Sequence, residues 1–118
     1  MRRKAGILIP LELAILDALM ELRRHGTREA HGYQIANELR YLREARRLTG
    51  YGTLYKALDR LEEAGALESR WEDPDLAAVD ARPRRRYYRV TLVGEAALAM
   101  RGEVQRAAHA IRSGGAAS

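Results

Sequence analysis

Gly50-Tyr51-Gly52-Thr53-Leu54-Tyr55-Lys56-Ala57-Leu58-Asp59-Arg60-Leu61 is the stretch on which the reading of this chain turns. Leu54, Ala57, Leu58 and Leu61 recur at helical spacing, so one face of a short helix is apolar. Gly52 and Lys56 point the opposite way on a helical wheel, with Thr53, Tyr55 and Arg60 at the edges of that free face. Charge is polarised along the axis. Residues 45–58 contain no acid but carry Arg46, Arg47 and Lys56, whereas Asp59, Glu62 and Glu63 follow. A helix with this layout turns its N–H groups and positive dipole end toward a polyanion and keeps its acids at the far end. Such a helix suits entry into the major groove of a duplex.

The sequence downstream changes period. Leu67, Ser69 and Trp71 alternate with Glu68, Arg70 and Glu72, which predicts a strand. Residues 73–84, with Pro74 and Pro83, read as a loop, and residues 85–91 as a second strand. Two strands joined by a basic-ended loop directly after the free-faced helix make a wing. Arg82, Arg84, Arg85 and Arg86 lie in and around its tip and are candidates for phosphate or minor-groove contact. The alternative for them is a solvated charge run that protects an edge strand. Arg89 is assigned a structural role, and Trp71 is expected at the rim of the core, on the strand facing the helices.

Upstream, Pro10 suits a first helical turn, and Leu11, Ile15, Ala18, Leu19 and Leu22 form an apolar face widened by Leu8, Leu16 and Met20. This helix is expected to end near His25-Gly26. A second helix over residues 31–43 buries Ile35, Leu39 and Leu42, and the free-faced helix closes at Ala64-Gly65. A last helix starts at the N-cap Thr91, without a capping box because Gly94 occupies its third position. Its stripe Val93, Ala97, Met100, Val104, Ala107, Ile111 alternates steps of four and three, the spacing of a coiled-coil seam. Val93 and Met100 are expected to face a second subunit while Leu92, Ala96 and Ala99 face home. The small Ala97 and Ala107 contribute little area, so Leu11 and Ile15 of the first helix are expected to supply more of the interface. The division is thus 1–90 for a DNA-binding domain, 91–113 for a dimerisation helix and 114–118 for a disordered tail.

Composition narrows the function. The chain has 118 residues, 47% of them apolar, which suits one folded domain. With no cysteine, no disulfide, thiolate metal site or cysteine nucleophile is available, as expected for a cytoplasmic protein. Net charge is +5, and its placement says more than its size. Pro10, Glu12, Asp17 and Glu21 interrupt the apolar run after Met1-Arg2-Arg3-Lys4, against a signal peptide or membrane helix. Arg2, Arg3 and Lys4 offer either a basic arm or a disordered terminus. His25, His31 and His109 fall on three elements without metal-ligand spacing, and no nucleophile-base grouping can be assembled. No metal, cofactor or enzymatic activity is therefore expected.

In order, these elements make a winged helix-turn-helix with a C-terminal helix, a mainly α (α+β) fold. The stretches His31-Gly32-Tyr33-Gln34-Ile35, Gly52-Thr53-Leu54-Tyr55 and Gly65-Ala66-Leu67-Glu68-Ser69 closely resemble the PadR family of bacterial transcriptional regulators. So do Arg86-Tyr87-Tyr88-Arg89-Val90-Thr91 and then Gly94. The resemblance covers residues 9–100. It departs at Lys56, where many members carry proline.

The resemblance implies a homodimeric repressor that binds a near-palindromic operator and is released by a small-molecule effector. The rival reading is a winged-helix module that contacts proteins and not DNA; the acid-free run 45–58 speaks against it. On the resemblance, Tyr51, Gly52, Thr53, Tyr55, Lys56 and Arg60 with the wing arginines face DNA. For Tyr55, packing on a neighbouring element stands as an equal alternative. In some short relatives a tryptophan of the C-terminal helix stacks on planar drugs at the dimer centre. This chain has no Trp, Phe or Tyr after Tyr88, so such stacking is expected to be weak or absent. A dye titration showing submicromolar affinity at the dimer centre would overturn that expectation.

Overall fold

A computed structural model describes residues 8–42 and 50–117. Arg2, Arg3, Lys4, Arg46 and Arg47 lie outside the described residues, as does the 45–49 part of the acid-free run.

Helix α1 (Pro10–Arg24) opens with proline in its first turn, and the Glu12 carboxylate accepts the N–H of Ile9 at 3.2 Å. It ends where Gly26 takes a φ of +97°, a left-handed conformation that costs glycine nothing. Strand β1 (Ala30–His31) leads into α2 (Gly32–Leu42), whose Gln34 side chain accepts the His31 N–H. Helix α3 (Tyr51–Glu63) follows and stops at Gly65, with φ +79°. Strand β2 (Leu67–Trp71), helix α4 (Pro74–Val79), strand β3 (Arg86–Val90) and helix α5 (Leu92–Ala117) complete the chain.

The sheet has three antiparallel strands in the order β1-β3-β2, with Tyr88 of β3 opposite both Ala30 and Ser69. The sequence reading gives the wing two strands; β1 is two residues long, too short for a period-two pattern to register. The expected loop 73–84 likewise contains α4, capped by the Asp73 carboxylate accepting the Asp75 N–H at 2.8 Å.

The core lies where α1, α2 and α3 meet the sheet. Ile15, Leu16, Ile35, Leu54, Leu58 and Leu61 are fully buried there, and Tyr88 closes it from β3. The predicted apolar back of α3 is therefore wholly consumed in packing. Thr91 caps α5, accepting from the Gly94 N–H and donating to the carbonyl of Gly65.

The seating of α5 differs from the expectation. Gly94 is buried, Ala97, Leu98 and Arg101 are half-buried, and Leu92, Ala96 and Ala99 are exposed. Leu92, Ala96 and Ala99 thus do not face home. The helix is turned so that Gly94 meets the strand ends and Leu98 packs against the core cluster. Ion pairs fix this rotation. Arg101 grips Asp17 of α1 with two hydrogen bonds of 2.7 and 3.0 Å, and Arg23 meets Glu95 at 3.1 Å. Among the described residues no helix is long and apolar enough to cross a membrane.

Candidate nucleic-acid interface

With Leu54, Ala57, Leu58 and Leu61 buried, the opposite side of α3 is left to solvent. Tyr51, Gly52, Thr53, Tyr55 and Lys56 are all exposed, and Gly50 and Gly52 have open space where a Cβ would stand. Lys56 makes no ion pair among the described residues. The first turn of α3 contains no acid, so its N–H groups face outward without a competing carboxylate.

Tyr55 has two faces. Its ring stacks on Tyr51 at 6.4 Å, while its hydroxyl occupies the space a side chain on the buried Gly32 would need. Gly32 is thereby the residue that lets α2 and α3 approach closely, and Tyr55 sets their spacing as well as lining the free face. Arg60 stands apart from this group. Its Nε donates to the buried Glu12 carboxylate at 2.9 Å, which draws the guanidinium toward α1.

The four wing arginines do unequal work. Arg82 is held by the Glu72 carboxylate through two hydrogen bonds of 2.5 and 2.7 Å and reaches Asp80 at 3.3 Å. It braces the wing. Arg84 donates to the Glu72 carbonyl at 2.8 Å and lies over the Trp71 ring. Arg86 donates to Ser69 and Glu62, both at 3.0 Å, and lies over Trp71 and Tyr88. Arg85 is exposed, and its guanidinium makes no ion pair among the described residues. Arg89 pairs with Glu68 on the exposed side of the sheet.

The expectation of a basic wing tip needs correction. The connection between the wing strands carries α4 with Asp73, Asp75 and Asp80 around it, and Leu76 and Val79 are exposed. The arginines instead run back along the wing toward α3. Trp71 is also displaced from its expected place at the rim of the core. It is 53% exposed and shares a groove with α3, because the residue that turns inward at this end of β2 is Glu72. The groove includes His31 and Tyr33, which the sequence reading did not single out as site residues. Their signal was present in the His31-Gly32-Tyr33 run, but only β1 pairing with β3 brings it beside the wing.

Glu72 reports how tightly the wing is tied. Its hydrogen bonds to Arg82, then the N–H of Arg85, hold its pKa at about 2, well below the ordinary 4.5, against the opposing effect of burial. A carboxylate with a depressed folded-state pKa stabilises the fold fully above its unfolded value. That contribution disappears as pH falls from about 4.5 through about 2. The difference in thermal midpoint between the wild type and Glu72→Gln is therefore expected to be constant at neutral pH and to shrink over that acid window. A difference that stayed constant to pH 2 would contradict the ion-pair assignment.

The residues proposed for subunit contact also separate. Ile15 is fully buried inside its own subunit, and Leu11 and Ala97 pack on the same core. Ile15 is thus removed from any surface a second copy can reach. Val93, Met100, Ala107, Val104 and Ile111 are exposed along α5.

Comparison with known proteins accords with this geometry. A transcriptional regulator from Clostridium thermocellum is 25% identical, covers 87% of this chain and 89% of its own, and superposes with a TM-score of 0.64. A PadR family transcriptional regulator from Eggerthella lenta is 29% identical over 88% of this chain and 82% of its own, with a TM-score of 0.53. A PadR family transcription regulator from Clostridium difficile, at 23% identity, shares the fold over 87% of this chain and 94% of its own, with a TM-score of 0.63. A search of curated proteins finds no match. The model of the transcriptional regulator PadR-like family matches residues 15–100, from Ile15 of α1 to Met100 in the first half of α5. The chain therefore belongs to the PadR-like family of transcriptional regulators, DNA-binding proteins and not enzymes.

Proposed function

We propose that this regulator acts as a homodimeric, sequence-specific repressor, released from its operator by a small-molecule effector. The observation that carries the reading is the uncovered N-terminal half of α3, where Tyr51, Thr53 and Lys56 stand exposed and Tyr51 shares a groove with Arg85, whose guanidinium makes no ion pair among the described residues. Tyr and Thr hydroxyls suit phosphate oxygens, and Lys56 suits a phosphate or a guanine edge. Arg84 and Arg85 extend this cationic surface along the wing. Arg82 supports it indirectly by bracing the connection, and Arg60 and Arg86 spend donors within the subunit.

The exposed stripe Val93, Met100, Val104 and Ile111 supports pairing of two subunits through α5. Ala107 lies on the same stripe. A two-fold arrangement places two α3 helices in successive major grooves of a near-palindromic site, about 34 Å apart. Repression follows from occupying the promoter, and an effector that changes the spacing of the two α3 helices weakens binding.

Selection of bound fragments from random duplex DNA, followed by gel shift on the enriched site, tests this directly. A near-palindrome is expected. If a dimer neutralises about eight phosphates, log affinity falls against log salt with a slope near about −7. A slope near zero would refute a nucleic-acid function, and an enriched site without symmetry would refute the dimeric arrangement.

A further inference from the structure

The groove between α3 and the wing has a volume of about 550 Å³, within the range of small-molecule sites. Its walls are aromatic. His31 and Tyr33 stack at 6.5 Å on one side, Tyr51 and Tyr55 stack at 6.4 Å on another, and Trp71 faces them from β2. Tyr33, Tyr51, Tyr55 and Trp71 are each more than 40% exposed, so aromatic surface stands open to solvent within one concavity, with Arg84 and Arg86 lying over the Trp71 ring. Planar rings are the ligands that such walls hold best.

The charge is equally specific. Arg84, Arg85 and Arg86 line the groove and face a single acid, Asp59. Arg84 and Arg86 are anchored by their bonds to Glu72, Ser69 and Glu62, so their orientation is fixed before any ligand arrives. Arg85 keeps its whole guanidinium unengaged among the described residues. The guanidinium of Arg85, flanked by the remaining donors of Arg84 and Arg86, suits a phosphate. The Asp59 carboxylate, which makes no hydrogen bond among the described residues, suits the N–H edge of a ring. Burial, then the nearby Arg85 and Arg82, lowers the pKa of His31 below the ordinary imidazole value, in keeping with a cationic interior.

The geometry points to this groove as a binding site for a purine mononucleotide, which occupies the surface that meets the operator and so competes with DNA directly. The nucleotide site stands on the groove alone; the competition rests on the proposed DNA interface. A ligand here acts by occlusion and needs no change in the spacing of two subunits.

Trp71 is the one tryptophan of the chain, so its fluorescence reads the groove without a label. The test titrates GMP and AMP, with guanosine and inorganic phosphate as controls, into the full chain and into Arg85→Ala and Lys56→Glu. Saturable quenching is expected with a mononucleotide, at least about tenfold tighter than guanosine, and Arg85→Ala is expected to remove most of that advantage. GMP is expected to displace the operator, and Lys56→Glu to lose the operator yet keep the quench. The proposal is overturned by the absence of saturable quenching up to about 5 mM of either nucleotide. Equal affinity for guanosine and GMP overturns it too, as does phosphate alone matching GMP. Simultaneous, independent binding of GMP and operator overturns the competition. Quenching by GMP in a protein that binds no duplex at all would remove the DNA interface and leave the nucleotide site standing.

Discussion

Lys56→Glu is expected to abolish operator binding while the protein stays folded and paired. Lys56 is exposed on the free side of α3 and makes no ion pair among the described residues, so the fold does not depend on it. Reversing its charge removes an attraction to the duplex and adds a repulsion. On the proposed dimer, a loss of about 1.5 kcal/mol per subunit doubles to about 3 kcal/mol, a fall in affinity of more than a hundredfold. Surface substitutions of this kind change stability by less than about 0.5 kcal/mol, so the thermal midpoint should barely move. Gel shift and thermal unfolding on the same preparation separate the two effects. Wild-type affinity in the variant would refute the role given to α3. Lys56→Gln, which removes the charge without reversing it, is expected to fall between the two.

Gly94→Ala is expected to destabilise the protein and weaken operator binding together. A methyl group there would overlap the Ala66 carbonyl and lie 2.7 Å from Val90 Cγ1. The Ala66 carbonyl cannot give way, because it accepts the Thr91 N–H at 3.1 Å just before α5 begins. Two effects oppose each other. Alanine is the better helix former by about 1 kcal/mol, whereas forcing a methyl group into a filled site costs about 1–3 kcal/mol and more where backbone is the obstacle. The steric effect wins. A fall in thermal midpoint of several degrees is expected, with α5 pushed off the strand ends. On the proposed dimer, any shift of α5 moves the two α3 helices relative to each other, so affinity falls as well. Gly102→Ala on the same helix is the control. Its methyl group would meet only the flexible end of Arg106, at 3.3 Å, and the helix-forming gain should then appear as a small stabilisation. Equal behaviour of the two variants would show that α5 is not seated through Gly94.

Local pattern carried far in this chain. The apolar face of α3 could be read from Leu54, Ala57, Leu58 and Leu61 because helical spacing is a property of neighbours three and four apart. The ends of α1 and α3 were legible from Gly26 and Gly65, since only a residue tolerant of positive φ ends a helix in that way without strain. The cap at Thr91 was legible for a similar reason. Where the reading missed, the missing fact was a long-range partner. Glu72 looked like the outward residue of an alternating strand, yet Arg82, ten residues away, draws it inward and leaves Trp71 outside. The first strand was invisible because two residues, Ala30 and His31, contain no pattern; only Tyr87 and Tyr88 across the ladder define it. The rotation of α5 was misread for Leu92, Ala96 and Ala99 because an alanine-rich helix offers several faces of similar polarity. Asp17 and Arg23 on α1, through their pairs with Arg101 and Glu95, choose among them.

What the sequence by itself determined was the order of the elements, the side of α3 that is buried and the sparing of its first turn from acids. Each follows from spacing and charge within a dozen residues, where chain geometry leaves little choice. Tertiary structure alone decided which cations remain available to a ligand. Arg60, Arg82, Arg84 and Arg86 are alike with Arg85 in the sequence, but a guanidinium goes to whichever carboxylate or carbonyl the fold brings within 3 Å of it. That competition is settled by packing between distant segments, and at this surface it leaves Lys56 and Arg85 without an ion pair among the described residues.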